Sequence, residues 1–161
     1  MRRQTRMQGL ALAALVLLAA AGLSFAAPDG PPPDAANLWN HITTQSPYTQ
    51  WKNWPDHQGM QPGSSPHGAL HVVYVNDAAL SVRQPPVPYG SIVVKENYDE
   101  AKTLKAITVM YKVKGFNPEA GDWFWAKFAP DGTVQASGTP GGCIGCHSAV
   151  AGNDYIFLHA F

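Results

Sequence analysis

The chain has 161 residues, with 11 basic and 11 acidic side chains and a formal charge of zero. That balance argues against a nucleic-acid binder, which needs a basic face. Two cysteines are too few for a disulfide-built scaffold, which carries four or more.

Residues 1–26 read as a cleaved export signal. Arg2, Arg3 and Arg6 form a basic start, Leu10 to Leu18 an apolar run, and Ser24-Phe25-Ala26 a small-x-small cleavage pattern. Without those arginines acidic residues outnumber basic ones by three. No second apolar run reaches the roughly 18 residues that span a bilayer, so the exported chain is expected to be free of the membrane and periplasmic.

Residues 27–33, Ala-Pro-Asp-Gly-Pro-Pro-Pro, read as a flexible lead. Residues 34–161 then form one domain. Asp34 is a candidate N-cap for a short helix to about His41, and a second short helix is expected to carry Trp51 and Trp54 up to Pro55. Gln58 to Gly68 reads as loop. Leu70 to Val75 and Ile92 to Val94 are β-branched runs. From Lys105, period two puts Ile107, Val109, Tyr111 and Val113 on one face. Thr108, Met110, Lys112 and Lys114 fall on the other, expected to be the wetter side. Asp122 to Phe128 follows, with Trp123 and Trp125 opposite Phe124 and Phe128. Pro130-Asp131-Gly132 is a turn, and Tyr155 to Phe161 is expected to be a last strand. The sum is an α+β domain, with short N-terminal helices followed by a mainly antiparallel sheet of four to five strands.

Cys143-Ile144-Gly145-Cys146-His147 carries the chemistry. C-x-x-C-H is the attachment signature of a c-type haem. Two thiols add to two vinyl groups, and the next imidazole becomes an axial ligand of the iron. The expected cofactor is one covalent haem c per chain, with iron held by His147. The competing readings are a thioredoxin-like pair, a disulfide and half a zinc site.

An electron carrier would hold a second strong axial ligand, often Met. Only 14 residues follow His147; none is Met and the one histidine is His159. Met60, Met110, His41, His57, His67 and His71 are upstream candidates. Without an obvious sixth ligand, the favoured reading is an open axial site in an aromatic pocket that binds nitric oxide, carbon monoxide or hydroxylamine.

Several blocks resemble the cytochrome P-460 and cytochrome c-prime-beta family: Ile92 to Tyr98, Met110 to Gly115, Gly121 to Lys127, Cys143 to His147, Asn153 to Tyr155, and Pro66 to Ala69. The resemblance implies N-terminal helices, an antiparallel sheet, a c-type haem with His147 proximal and an apolar distal face, and a homodimer. It also implies one of two functions. In one branch a strand lysine, here Lys95, is cross-linked to the porphyrin and hydroxylamine is oxidised, with a redox partner cytochrome accepting electrons. In the other the haem is unmodified and binds diatomic gases. Lys95 shares a face with Val93, but alternation does not settle where its amine points. Oxidation needs a proton acceptor, for which Asp122 and Glu119 are the candidates by chain proximity.

Replacing Cys143, Cys146 or His147 with Ala is expected to abolish normal haem attachment. The check is the absorption spectrum of the purified variant, and an unchanged spectrum in His147→Ala would contradict the motif reading.

Overall fold

The computed structural model describes residues 30–161. The signal segment lies outside the described residues. Of the Pro-rich stretch, Pro31 is buried and its carbonyl accepts a hydrogen bond from the Tyr111 hydroxyl at 3.0 Å.

Asp34 caps helix α1 (Ala35–Asn40): its Oδ1 accepts from the Asn37 amide at 2.9 Å. The chain continues in a wider turn over His41–Gln45 and a single tight turn over Tyr48–Gln50. The expected second helix at Trp51 and Trp54 does not form. Lys52 instead bridges Val75 as extended chain, because the edge of the sheet supplies backbone partners there.

Six antiparallel strands follow, β1 (Gln61–Pro62), β2 (Leu70–Val75), β3 (Ile92–Tyr98), β4 (Leu104–Lys112), β5 (Trp123–Phe128) and β6 (Val134–Gly138). They lie side by side in chain order, and every neighbouring pair is antiparallel. The fold is α+β as expected, but the sheet has six strands rather than four to five. The two extra strands are the edges. β1 is two residues inside a Gly/Pro-rich segment, and β6, Val-Gln-Ala-Ser-Gly, is mostly exposed. An edge strand hydrogen-bonds on one side only and needs no hydrophobic alternation, so neither announces itself. Helices are not confined to the N-terminus either. α2 (Asp77–Leu80) follows β2, and α3 (Gly141–His147) follows β6.

Both faces of the central strands are covered. Ile92, Val94, Ile107, Val109, Tyr111, Phe124 and Phe128 meet Leu38 and Ile42 of the N-terminal segment on one side. Val73, Val75, Val93, Met110, Trp123 and Trp125 meet Trp54, Val87 and Ile156 on the other, with Cys143 and Ile144 of α3 against them. The face of Thr108, Met110 and Lys112, expected to be wet, is therefore interior: Met110 and Lys112 are buried. Alternation ranks the two faces of a strand by polarity and says nothing about what a later segment will cover.

The segment from Tyr155 to Phe161 is not a strand. Asp154 and Tyr155 both take left-handed backbone angles (φ 52° and 65°), and the Asn153 side-chain Nδ2 donates to the carbonyls of Ile156 and His159, both at 2.7 Å. Both features fold the chain over itself instead of along the sheet.

Phe128 is fully buried and its ring lies 4.7 Å from that of Trp39. Phe128→Ala is expected to cost about 3–5 kcal/mol, read from the denaturant midpoint of the purified protein.

Candidate functional site

The side chains of residues i, i+3 and i+4 share one face of a helix. On α3 these are Cys143, Cys146 and His147, and that face lines a cavity of about 420 Å3. Ligand sites for cofactor-sized molecules run from roughly 300 to 1,000 Å3. The floor is the sheet, with Val93 and Lys95 from β3, Thr108 and Met110 from β4, and Trp125 from β5. One wall is the loop of Ser64 to His67, and the other is Ile156 to Leu158.

His147 is held on several sides. Its Nδ1–H donates to the Tyr155 carbonyl at 2.7 Å, which leaves the Nε2 lone pair free to bind a metal. The rings of Trp125 and Phe157 stand edge-on at 4.7 and 5.2 Å, and His67 at 6.2 Å. Burial lowers the His147 pKa, and the Tyr155 hydrogen bond works against that shift. The imidazole is thus neutral, the form a metal ligand needs.

The alternatives for the cysteines do not fit. Both thiols are free. Burial raises the Cys143 pKa, the reverse of an activated redox thiol. The motif follows an antiparallel meander rather than the first strand of a βαβ unit. Among the described residues no group of three or more His, Cys, Asp or Glu forms a metal cluster, which leaves a zinc site without its ligands.

A haem fits the residues present. Cys143 and Cys146 would hold it through two thioether links, and His147 would supply a nitrogen ligand to its iron, all from one wall. The buried Trp125 Nε1–H has no acceptor in the polypeptide, as expected of a wall completed by a bound group. Beyond the chain neighbours and the helix's own backbone, no atom of the described residues lies within 4 Å of where a Cβ would stand on Gly141, Gly142 or Gly145, so packing against the rest of the chain does not require glycine there.

Lys95 faces this cavity beside Thr108, its register partner on β4. Burial without a carboxylate partner pushes its amine down to about 8. Its neighbour Glu96 points the other way, accepting from the hydroxyls of Tyr48 at 2.8 Å and Tyr98 at 2.7 Å. The two acidic candidates do not reach the cavity. Asp122 accepts from the Tyr89 hydroxyl and the Asn117 amide, both at 3.0 Å, and Glu119 is exposed. Among the described residues no Asp or Glu lines the cavity.

Of the proposed sixth ligands, Met110 and His67 line the cavity and the others do not. Met60 is exposed. His41 pairs with Gln45. His57 and His71 stack, their Nε2 atoms 2.5 Å apart. His159 stacks on Trp54 at 4.7 Å and pairs with Asp56 at 2.7 Å. Sequence reasoning did not assign Trp54, Thr108, Ser64, Ser65 or Ile156 to Leu158 to the site. The only signal was the Pro66-His67-Gly68-Ala69 block.

A meander with a C-x-x-C-H helix folded back over a sheet-floored cavity is the architecture of a small haem protein. The chain belongs to the Cytochrome P460 family, whose model matches residues 46–158. The family implies a haem with its iron. No curated protein matches the chain.

Burial lowers the pKa of His67 and of His71 from 6.5 to about 4. Below pH ~6.5 the unfolded chain takes up protons that the folded chain refuses. Each histidine then removes stability as pH falls, until pH reaches about 4. Denaturant unfolding between pH 7 and pH 4.5 should show this slope, and His71→Gln should flatten it.

Proposed function

We propose that the chain is an exported c-type haem protein whose iron keeps an open axial position for nitric oxide or a related small nitrogen species. Cys143 and Cys146 carry the two thioether links, and His147 Nε2 is the proximal ligand. The haem supplies an iron site that binds diatomic molecules strongly. The observation that carries the reading is the lining of the cavity: mostly apolar walls, a histidine and two cysteines on one helical face, and no carboxylate among the described residues.

The residues divide the work. The Tyr155 carbonyl fixes the tautomer and rotation of His147, and Trp125 and Phe157 hold the ring from its sides. Val93, Met110, Ile156 and Leu158 keep water out of the cavity. His67, with a pKa of about 4, stays neutral at pH 7 and is a poor proton acceptor there. A pocket without a strong proton acceptor suits ligand binding better than a reaction that must strip protons from its substrate.

A second reading rests on Lys95. Its amine faces the cavity, loses its proton readily and has no salt-bridge partner among the described residues. A bond from its Nζ to the macrocycle would mark a hydroxylamine-oxidising protein that passes electrons to a partner cytochrome. Homodimer formation and a periplasmic location belong to both readings.

The test is an absorption spectrum of the reduced holoprotein before and after alkaline pyridine, followed by titration with nitric oxide, carbon monoxide and dioxygen. Gas binding predicts an ordinary c-type pyridine spectrum and a high-spin resting iron. It also predicts tight nitric oxide and carbon monoxide complexes and no stable oxygen complex. A red-shifted pyridine spectrum with steady hydroxylamine turnover would establish the Lys95 reading instead. A low-spin resting iron that refuses carbon monoxide would overturn both in favour of an electron carrier.

A further inference from the structure

The orientation of His147 depends on one backbone carbonyl, that of Tyr155. Tyr155 and its neighbour Asp154 are consecutive non-glycine residues in the left-handed region. Neither residue type adopts that region readily, so the surroundings must hold them there. The restraints converge on Asp154. One carboxylate oxygen is ion-paired with the Lys112 ammonium at the end of β4, and the other accepts the Val87 amide at 2.9 Å. Its backbone carbonyl accepts the Trp123 indole N–H of β5 at 2.9 Å. The Lys112 ammonium also lies 4.9 Å from the Trp123 ring centroid.

The two charged side chains are only 6 and 5% exposed. A buried pair of this kind contributes little to stability compared with apolar side chains of the same volume, so its presence calls for another reason. Neither residue lines the cavity. Asp154 immediately precedes the residue whose carbonyl orients the His147 imidazole, and Lys112 reaches it through the ion pair.

We infer that the Lys112–Asp154 pair is a positioning device for the proximal histidine. It anchors Asp154 to the sheet, which sets the Tyr155 carbonyl 2.7 Å from His147 Nδ1. A firmly held acceptor increases electron density on the imidazole and strengthens Nε2 as a donor to ferric iron. Loosening it weakens the donor and raises the reduction potential. Lys112 and Asp154 act through Tyr155 and His147, not on any ligand. The inference holds for either reading of the function. It rests on His147 as the axial ligand, which the His147→Ala spectrum tests separately.

The experiment uses the haem-loaded double variant Lys112→Gln/Asp154→Asn. It removes the ion pair without changing net charge, so the direct field at the iron is nearly unchanged. Two quantities are read: the reduction potential, and the iron–histidine stretching frequency of the ferrous protein by resonance Raman. The expected result is a weaker stretch and a reduction equilibrium shifted about tenfold toward the ferrous form, ~59 mV for one electron. Phe128→Leu serves as the control, lowering stability on the opposite sheet face without moving either reading. Lys112→Arg, which keeps the pair, should stay close to wild type. If the double variant fails to load haem, Trp123→Phe removes only the indole bond to Asp154 and should shift both readings in the same direction by less. Unchanged potential and stretch in whichever variant loads haem, with stability alone reduced, would overturn the inference.

Discussion

Strands β3, β4 and β5 have neighbours on both edges, and both of their faces must be kept from water. Much of the molecule follows from that constraint. The first face is covered by α1 and the turns after it, an ordinary apolar layer closed by Leu38, Ile42 and Phe128. The second cannot be closed the same way. Its cover is assembled from Trp54, the loop before β2, α3 and the C-terminal segment, and these leave a cavity at their centre. The strand residues under that cavity are interior to the protein while still open to a bound group.

Polar residues on that second face show what this does. Lys112 lies where the cover is complete, and it is matched by Asp154 and the Trp123 ring. Lys95 lies where the cover is interrupted. It has no counter-charge among the described residues, and desolvation draws its amine toward the neutral form. Burial keeps His67 uncharged at neutral pH, and the charge that Lys95 still carries there adds to that effect. Desolvation in the cavity thus works against charge on both side chains.

The Asp154–Tyr155 corner links the two parts of this face. Left-handed backbone at both residues turns the chain away from the sheet and across the mouth of the cavity, and Ile156 to Leu158 become a wall. The same corner offers the carbonyl that fixes His147. One irregular segment thus both encloses the site and orients its histidine.

The C-x-x-C-H spacing, the period-two faces of β4 and β5 and the Asp34 cap are local properties of the chain. The sequence by itself therefore determined that two cysteines and a histidine share one helical face, which strand faces carry the apolar periodicity and where the first helix begins. What covers those faces depends on segments far away in the chain. Only the tertiary structure decided that the Met110 and Lys112 face is interior, that Lys95 opens into the cavity while Glu96 turns away, and that Glu119 and Asp122 stand apart from it. The edge strands β1 and β6 and the irregular C-terminus belong to the same class. Their conformations follow from hydrogen-bond partners supplied across the sheet and from side-chain contacts such as Lys112 with Asp154, which local periodicity does not encode.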